Sequence, residues 1–218
     1  MSDEPASLTI TRLAMRVAAL SRREVFTPDW FEFDDLCTVI SRFEVPHSTF
    51  SPKMCALTWG ISRALRPKNV LGLGVFSGWP FAFLAGLAAH VGSPRELVAV
   101  DIEPEACMVC RRNLAYLGFG DQLQVTCADA IALHWEGAEI DLLFIDIDEP
   151  VSGKARYSDI LTHFRPHLAE GALVLAHDVC VPRFQADFIL WRKTVLDLGL
   201  RGPFDLPIDD CGVSIAVA

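Results

Sequence analysis

Short apolar runs alternate with amphipathic stretches from residue 67 onward. Runs typical of strands buried on both faces recur at about 69–73, 97–101, 122–127, 141–145 and 172–176. Helical patterns fill intervals between them, at about 80–91, 103–116, 154–168 and 184–198. Two more strands, at about 202–206 and 212–217, are too close for a crossover helix. The pattern predicts an α/β fold: a doubly wound seven-stranded sheet whose last strand is antiparallel.

The first 66 residues have only helical patterns. Apolar residues recur at helical spacing within Ser7–Ser21, and further helices are predicted at Asp34–Phe43 and Ser51–Leu65. The last of these opens with Ser51-Pro52, a capping residue followed by proline at the first helical position. We therefore expect residues 1–66 to form a helical N-terminal cap on a ligand-binding catalytic domain at residues 67–218.

A glycine-rich turn follows the first predicted strand. The stretch Asn69–Gly78 runs from a strand through this turn toward a helix, and the next strand ends in Asp101. This arrangement is typical of a nucleoside-binding half of an open α/β sheet, with the carboxylate placed to meet ribose hydroxyls. The glycine spacing is one residue longer than in a dinucleotide fingerprint and includes the bulky Phe76. The turn therefore suits a ligand without a pyrophosphate.

Composition narrows the classes of partner. The 218 residues carry a formal net charge of −9 and no basic run, so nucleic acid is not an expected partner. A small neutral or cationic substrate fits better. The longest apolar stretch is shorter than the roughly 20 residues that span a bilayer, so no membrane association is expected. Seven scattered cysteines indicate a reducing, cytoplasmic location.

Five motifs in order resemble the class I S-adenosylmethionine-dependent methyltransferases. They are the turn with Gly74 and Gly78, Asp101, Cys127-Ala-Asp129-Ala, Phe144-Ile-Asp146-Ile-Asp148 and His177-Asp178. Within that class, residues from about 47 to 218 are most similar to the small metal-dependent O-methyltransferases related to the catechol and caffeoyl-CoA enzymes. The resemblance implies a Rossmann-like fold and methyl transfer from S-adenosylmethionine to a small molecule, with a hydroxyl as the expected acceptor.

The resemblance also implies a set of cofactor contacts. Asp101 would accept the ribose hydroxyls, Asp129 would meet the adenine amino group, and Ser77 would reach the amino-acid end. The full expected set is Met54, Gly74, Ser77, Gly78, Asp101, Asp129 and Asp146. Carboxylates at strand ends also suit a cationic sulfonium.

A divalent metal ion is the second implied group. Related enzymes hold magnesium with an Asp after strand 4 and an Asp-Asn pair after strand 5, which points to Asp146, His177 and Asp178 here. His177 stands where the family usually has Asp, and imidazole favours manganese, iron or zinc over magnesium. Without a metal, a side-chain base would have to take the acceptor proton, and the candidates are His47, Glu149 and His177.

Two further positions depart from the family. Glu149 replaces the catalytic Lys of the catechol-type enzymes and could be a ligand, a base or an exposed loop acid, while Lys154 is a nearby lysine for the same role. Gly72 stands where the family usually has Glu. That change predicts either weaker cofactor binding, which Gly72→Glu would reverse, or a site rebuilt around glycine.

These departures keep alternative functions open. The chain could be another enzyme on the same scaffold, such as an NAD-dependent oxidoreductase or a non-methylating S-adenosylmethionine-binding enzyme. It could also be a non-catalytic partner subunit that has kept the fold. The oligomeric state is open as well, with a homodimer as one alternative.

Overall fold

The computed structural model describes residues 6–44, 50–91, 95–149 and 152–218. Within them the helices are α1 Ala6–Ala19, α2 Trp30–Ile40, α3 Pro52–Leu65, α4 Trp79–Ala85, α5 Ala88–Val91, α6 Pro104–Ala115, α7 Tyr157–Phe164 and α8 Gln185–Asp197. The strands are β1 Asn69–Leu73, β2 Glu96–Asp101, β3 Leu123–Cys127, β4 Ile140–Ile145, β5 Leu168–His177, β6 Arg201–Leu206 and β7 Val213–Val217. No helix in these ranges is both long and apolar enough to cross a membrane.

The seven strands form one sheet in the order β3-β2-β1-β4-β5-β7-β6. Strands β1 to β5 pair in parallel, whereas β7 runs antiparallel to both β5 and β6. Each face of the sheet is buried: Leu142 and Phe144 of β4 enter one hydrophobic core, and Leu143 and Ile145 enter the other. The predicted Rossmann-like doubly wound sheet with an antiparallel last strand is confirmed.

The N-terminal helices complete one of the two cores. Leu36 of α2 and Trp59 of α3 belong to the same buried cluster as Val70 of β1 and Leu97 of β2. The predicted start of α3 is confirmed, since Ser51 Oγ accepts a hydrogen bond from the Met54 N–H at 3.1 Å. The helical cap therefore packs directly on the sheet, and its burial contributes to the stability of the whole fold.

One predicted helix is interrupted. The sequence pattern predicts a continuous helix over 80–91, but α4 ends at Ala85 and the short α5 begins at Ala88. Gly86 lies between them with a φ of +73°, a left-handed conformation that ends a helix and that glycine adopts without steric cost.

The parallel strands bring their carboxyl ends to one edge of the sheet. Gly74 follows β1, Asp101 ends β2, Asp146 follows β4 and Asp178 follows β5. Strand order places β1 between β2 and β4, so these residues surround a common crevice, where open α/β sheets bind their ligands.

Candidate active site

Two adjoining cavities lie at the carboxyl edge of the sheet. The larger, of about 490 Å³, is bordered by Asp101 and Asp129. The smaller, of about 330 Å³, is bordered by residues that follow β1, β4, β5 and β6, among them Ser77, Trp79, Lys154, Asp178 and Cys211. Both cavities are lined by Gly74, Phe76, Asp146 and Asp148. The edge thus offers one compartment for a nucleoside-sized group and a second, connected compartment for a reacting partner.

The glycine turn is held against the loop that follows β4. Gly74 has a φ of +75°, and a Cβ built there would lie 2.3 Å from the carbonyl oxygen of Asp146. Asp101 holds the other side of the turn, because its Oδ2 accepts the Phe76 N–H at 2.7 Å and its Oδ1 accepts the Glu103 N–H at 3.0 Å. The carboxylate of Asp101 therefore both shapes the turn and borders the larger cavity.

Gly72 has a packing role. A Cβ at this position would lie 2.4 Å from Cδ2 of Phe81 and 2.9 Å from Cγ1 of Val75. Since Phe81 is fully buried, a larger side chain cannot be accommodated without moving the core. Of the two alternatives, a missing cofactor acid or a site rebuilt around glycine, the geometry favours the second.

Two expected cofactor residues lie away from the cavity walls. Met54, a residue of α3, is fully buried in the hydrophobic core. Gly78 begins α4 with a φ of +84°, and a Cβ there would lie 2.9 Å from Cγ of Leu114 in α6. For both positions the structure gives a packing reason, and their contact with the cofactor stays a prediction. Ser77, in contrast, lines the smaller cavity.

Arg156 joins two of the expected site carboxylates at the larger cavity. Its Nη2 lies 3.1 Å from both oxygens of Asp129, and its Nη1 lies 2.7 Å from Oε1 of Glu149. The Ser152 hydroxyl donates to the other oxygen of Glu149. Both contacts lower the pKa of Glu149, and the hydrogen bond from Ser152 has the larger effect. The lowered pKa makes Glu149 a weak general base.

Asp129 borders the larger cavity. The N–H of Ile131 donates to Oδ1 of Asp129 at 3.0 Å, and this bond, together with Arg156, lowers the pKa of the carboxyl against the opposing effect of desolvation. Asp129 is therefore ionised and can accept a hydrogen bond from an exocyclic amine.

A closed ion cluster forms the floor of the smaller cavity. Lys154 Nζ lies 2.8 Å from Oδ1 of Asp146 and 2.9 Å from Oδ2 of Asp178. His177 Nδ1 lies 3.2 Å from Oδ2 of Asp146 and 3.3 Å from Oδ1 of Asp178. Each carboxylate thus places one oxygen toward the lysine and the other toward the histidine. We call these four residues the ion cluster.

The ion cluster is buried, and its members shift one another's pKa. Lys154 is 1 % exposed. Burial disfavours its ammonium, but Tyr157, Asp146 and Asp178 outweigh that effect and raise the pKa of Lys154. Burial likewise opposes the charge on Asp146, yet His177 and Lys154 hold the pKa of that carboxyl below its usual range. The lysine is therefore a permanent cation between two carboxylates.

His177 is not placed to act on a substrate. Its side chain is fully buried and its ring packs against Phe50, with 4.7 Å between the ring centroids. Burial disfavours the charged imidazole, but Asp146 outweighs this and raises the pKa of His177. Neither ring nitrogen has a hydrogen-bond partner among the described residues, so the role that this geometry supports is electrostatic, beside Asp146 and Asp178. The third candidate base, His47, lies outside the described residues.

The predicted metal ligands come together, but a divalent ion does not fit among them. Lys154 Nζ already contacts both carboxylates and neutralises the charge that would attract an ion. Ligand atoms of His177, Asp178 and Cys211 also lie within 4.8 Å of one another. Burial and the neighbouring Asp178 raise the pKa of the Cys211 thiol to about 12, so this group is protonated as long as no cation is bound beside it.

Sequence reasoning did not identify Arg156, and it did not predict that Lys154 pairs with Asp146 and Asp178. Both lie between β4 and α7, a segment without regular periodicity, and they meet carboxylates up to 27 positions away along the chain. The available signal was the pair of cations that follows the acidic strand end Asp146-Ile-Asp148-Glu149. Uncompensated acids at a buried edge imply nearby cations.

Three solved structures share the fold and are distant from this chain in sequence. An O-methyltransferase from Bacillus cereus, in complex with SAH, is 15% identical, with 97% of this chain and 100% of that chain covered and a TM-score of 0.65. TomG from Streptomyces achromogenes, an O-methyltransferase in complex with SAM, is 16% identical, with 93% and 95% covered and a TM-score of 0.63. The SAH-bound methyltransferase PaMTH1 from Podospora anserina is 17% identical, with 94% of each chain covered and a TM-score of 0.62.

A family comparison covers most of the residues that line the two cavities. No curated protein matches the chain in sequence. A protein-family model described as a methyltransferase domain matches residues 71–179, half of the chain, from β1 to the residue after Asp178. The matched range includes Gly74, Asp101 and the whole ion cluster. The chain therefore belongs to this methyltransferase domain family.

Proposed function

We propose that the protein transfers a methyl group from S-adenosylmethionine to a hydroxyl of a small molecule. The observation that carries the proposal is the pair of connected cavities, one bordered by Asp101 and Asp129 and the other by the ion cluster. O-methyltransferases of the same fold, solved in complex with SAM or SAH, support the choice of cofactor and acceptor.

The larger cavity would hold the adenosine. Asp101 ends β2, where its carboxylate can accept both ribose hydroxyls, and Asp129 can accept the adenine amine. Gly74 and Asp146 stand where the two cavities meet. The sulfonium would lie there, close to the Asp146 carboxylate, with its methyl group directed into the smaller cavity. Ser77 is the candidate contact for the amino-acid end.

The smaller cavity would hold the methyl acceptor. A substrate hydroxyl would donate a hydrogen bond to Asp178, which lines only this cavity of the two. In the transfer, an oxygen lone pair forms the bond to the methyl carbon while the carbon–sulfur pair returns to sulfur. The hydroxyl proton passes to Asp178. The products are a methyl ether and S-adenosylhomocysteine, and alignment of the three reacting atoms supplies much of the rate enhancement.

Lys154 gives this site its fixed positive charge. Because the ammonium contacts both Asp146 and Asp178, it keeps the two carboxylates together in a buried place where they would otherwise repel. Asp178 also has a φ of +73°, an uncommon conformation for a residue other than glycine, at the point where its side chain enters the cluster. The proposed reaction therefore proceeds without a step through a metal ion.

Calorimetry with S-adenosylhomocysteine and with NAD tests the proposal directly. We expect saturable binding of the former and none of the latter. A product assay with S-adenosylmethionine and a panel of phenols and catechols then tests methyl transfer. Binding of NAD alone would support the oxidoreductase alternative, and S-adenosylhomocysteine binding without turnover of any acceptor would support a partner subunit. A cytoplasmic location, a homodimer and the lack of nucleic-acid binding remain predictions.

A further inference from the structure

A third cavity, of about 350 Å³, lies at the opposite edge of the sheet from the cofactor residues. Its wall includes Arg66 and Lys68, which come just before β1, and Arg95, which comes just before β2. Gly74 and Asp101 stand at the other ends of the same two strands. Since a strand rises about 3.3 Å per residue, β1 alone separates the two edges by roughly 15 Å. A ligand here would not compete with a ligand in the candidate active site.

Two arginines in this wall are buried without enough hydrogen-bond partners. Arg63 and Arg95 are each 6 % exposed. Nε and Nη2 of Arg63 and Nη1 of Arg95 have no partner among the described residues. Glu32 is the carboxylate paired with Arg63, at 3.9 Å between Oε2 and Nη1, which is too far for a hydrogen bond. Burying charged N–H groups without acceptors costs free energy. The fold alone therefore does not explain why two such arginines border this cavity.

The charge around this cavity is unbalanced. Four side chains with formal positive charge, Arg63, Arg66, Lys68 and Arg95, face two carboxylates, Asp29 and Glu32. Burial, and then repulsion from Arg63, lower the pKa of Arg95 to about 9. Burial likewise lowers the pKa of Arg63 to about 10, with a smaller contribution from Arg66.

The next nearby carboxylate is already occupied. Asp141 attracts Arg95, but one of its oxygens is bonded to Arg23, and the other accepts the N–H groups of Lys68 and Asn69 at 2.8 and 2.9 Å. In a chain whose formal net charge is −9, this concentration of buried positive charge stands out. Neither the cofactor nor the acceptor of the proposed methyl transfer uses it.

We propose that this cavity binds a small molecule through a phosphate group. Its oxygens would accept hydrogen bonds from the guanidinium groups of Arg63 and Arg95, which border the cavity, while Arg66 and Lys68 contribute attraction at the rim. A phosphate group fits because its charge offsets the excess of cations and its oxygens match the planar donor fork of arginine. The volume of about 350 Å³ leaves space for an organic part beyond the phosphate.

The test uses the full chain and inorganic phosphate as the probe. Melting temperature is measured against phosphate concentration, with sodium chloride of equal ionic strength as the reference. We expect phosphate to raise Tm by a few degrees in a saturable way, because it binds only the folded state. Arg63→Met and Arg95→Met should each remove this response. Arg112→Met, at an exposed arginine paired with Glu44, is the matched control and should retain it.

Tm without phosphate gives a second, independent readout. If Arg95 serves an absent anion, Arg95→Met removes an unpaired buried charge and should leave Tm unchanged or higher. An arginine with a purely structural role would lower Tm when replaced, and that result would overturn the proposal. A Tm that follows ionic strength alone, or a phosphate response retained in both variants, would also overturn it. Since S-adenosylhomocysteine affinity is measured separately, failure here leaves the proposed methyl transfer untouched.

Discussion

Lys154 Nζ lies 2.8 Å from Oδ1 of Asp146, and this contact joins the turn before α7 to the loop after β4. The lysine is 1 % exposed, and its ammonium contacts the carboxylates of both Asp146 and Asp178. The stability of that cavity therefore depends on one buried charge.

Lys154→Met should destabilise the protein by about 3–5 kcal/mol, the usual cost of leaving a buried ion without its partner. Urea denaturation followed by circular dichroism measures the change. Lys193→Met is the control, since Lys193 is an exposed lysine of α8 and its replacement should stay within about 0.5 kcal/mol. A loss as small as that of the control would mean that the carboxylates of the ion cluster are neutralised in another way.

Chelation should leave the enzyme active. With Lys154 between Asp146 and Asp178, we expect the rate of methyl transfer to any accepted hydroxyl to be the same with and without excess EDTA. Calorimetry with Mn²⁺ should detect no binding to the wild type, whereas Lys154→Ala, which empties the space between the carboxylates, should gain affinity for Mn²⁺. Activity that is lost in EDTA and restored by Mn²⁺ would show that the lysine does not replace the metal.

Asp101→Ala should weaken S-adenosylhomocysteine binding by about 1.5–3 kcal/mol, the range for hydrogen bonds to a charged group. The carboxylate also holds the Phe76 N–H, so part of this loss reflects a looser turn. Calorimetry on the folded variant gives the number, and Asp121→Ala, at an exposed loop acid, is the control. Unchanged affinity would remove Asp101 from the cofactor site.

Gly72→Ala should cost about 1–3 kcal/mol, because the added methyl group overlaps Phe81. Phe81→Leu in the same chain should recover part of that cost by removing the ring atoms that clash, which a double-mutant cycle would measure as coupling. Gly72→Glu should lower Tm further and should not tighten cofactor binding. Tighter binding in a stable Gly72→Glu variant would restore the missing-acid explanation.

The ion cluster also predicts a pH profile of stability. Asp146 has a lowered pKa in the folded state, so its contribution is present above the unfolded value of about 3.9 and is lost as pH falls through the folded pKa. Lys154 has a raised pKa, so its contribution is present below about 10.4 and is lost only as pH rises through the higher folded value. The difference in unfolding free energy between wild type and Lys154→Met should therefore shrink in acid, as Asp146 is protonated, and again at high pH, as Lys154 loses its proton.

The sequence predicted the sheet and the strand-end carboxylates because both follow from local patterns. A buried parallel strand needs a continuous apolar run, and its carboxyl end is a fixed place for Asp101 or Asp146. What the sequence did not reveal is which partner each charge has. Lys154 meets Asp178 only after the chain has passed through α7 and β5, and Arg63 approaches Arg95 across the N-terminal edge of the sheet. Such pairs depend on tertiary packing.

The contact between Gly74 and the carbonyl of Asp146 leaves no space for a Cβ, which would lie 2.3 Å from that oxygen. The two cavities therefore share a wall in which the turn after β1 touches the loop after β4. Displacements of about 1 Å between reacting groups can cost a hundredfold in rate. Gly74 has no functional group, yet the close backbone contact that it allows fixes the spacing between cofactor and acceptor on which the rate of the proposed reaction depends.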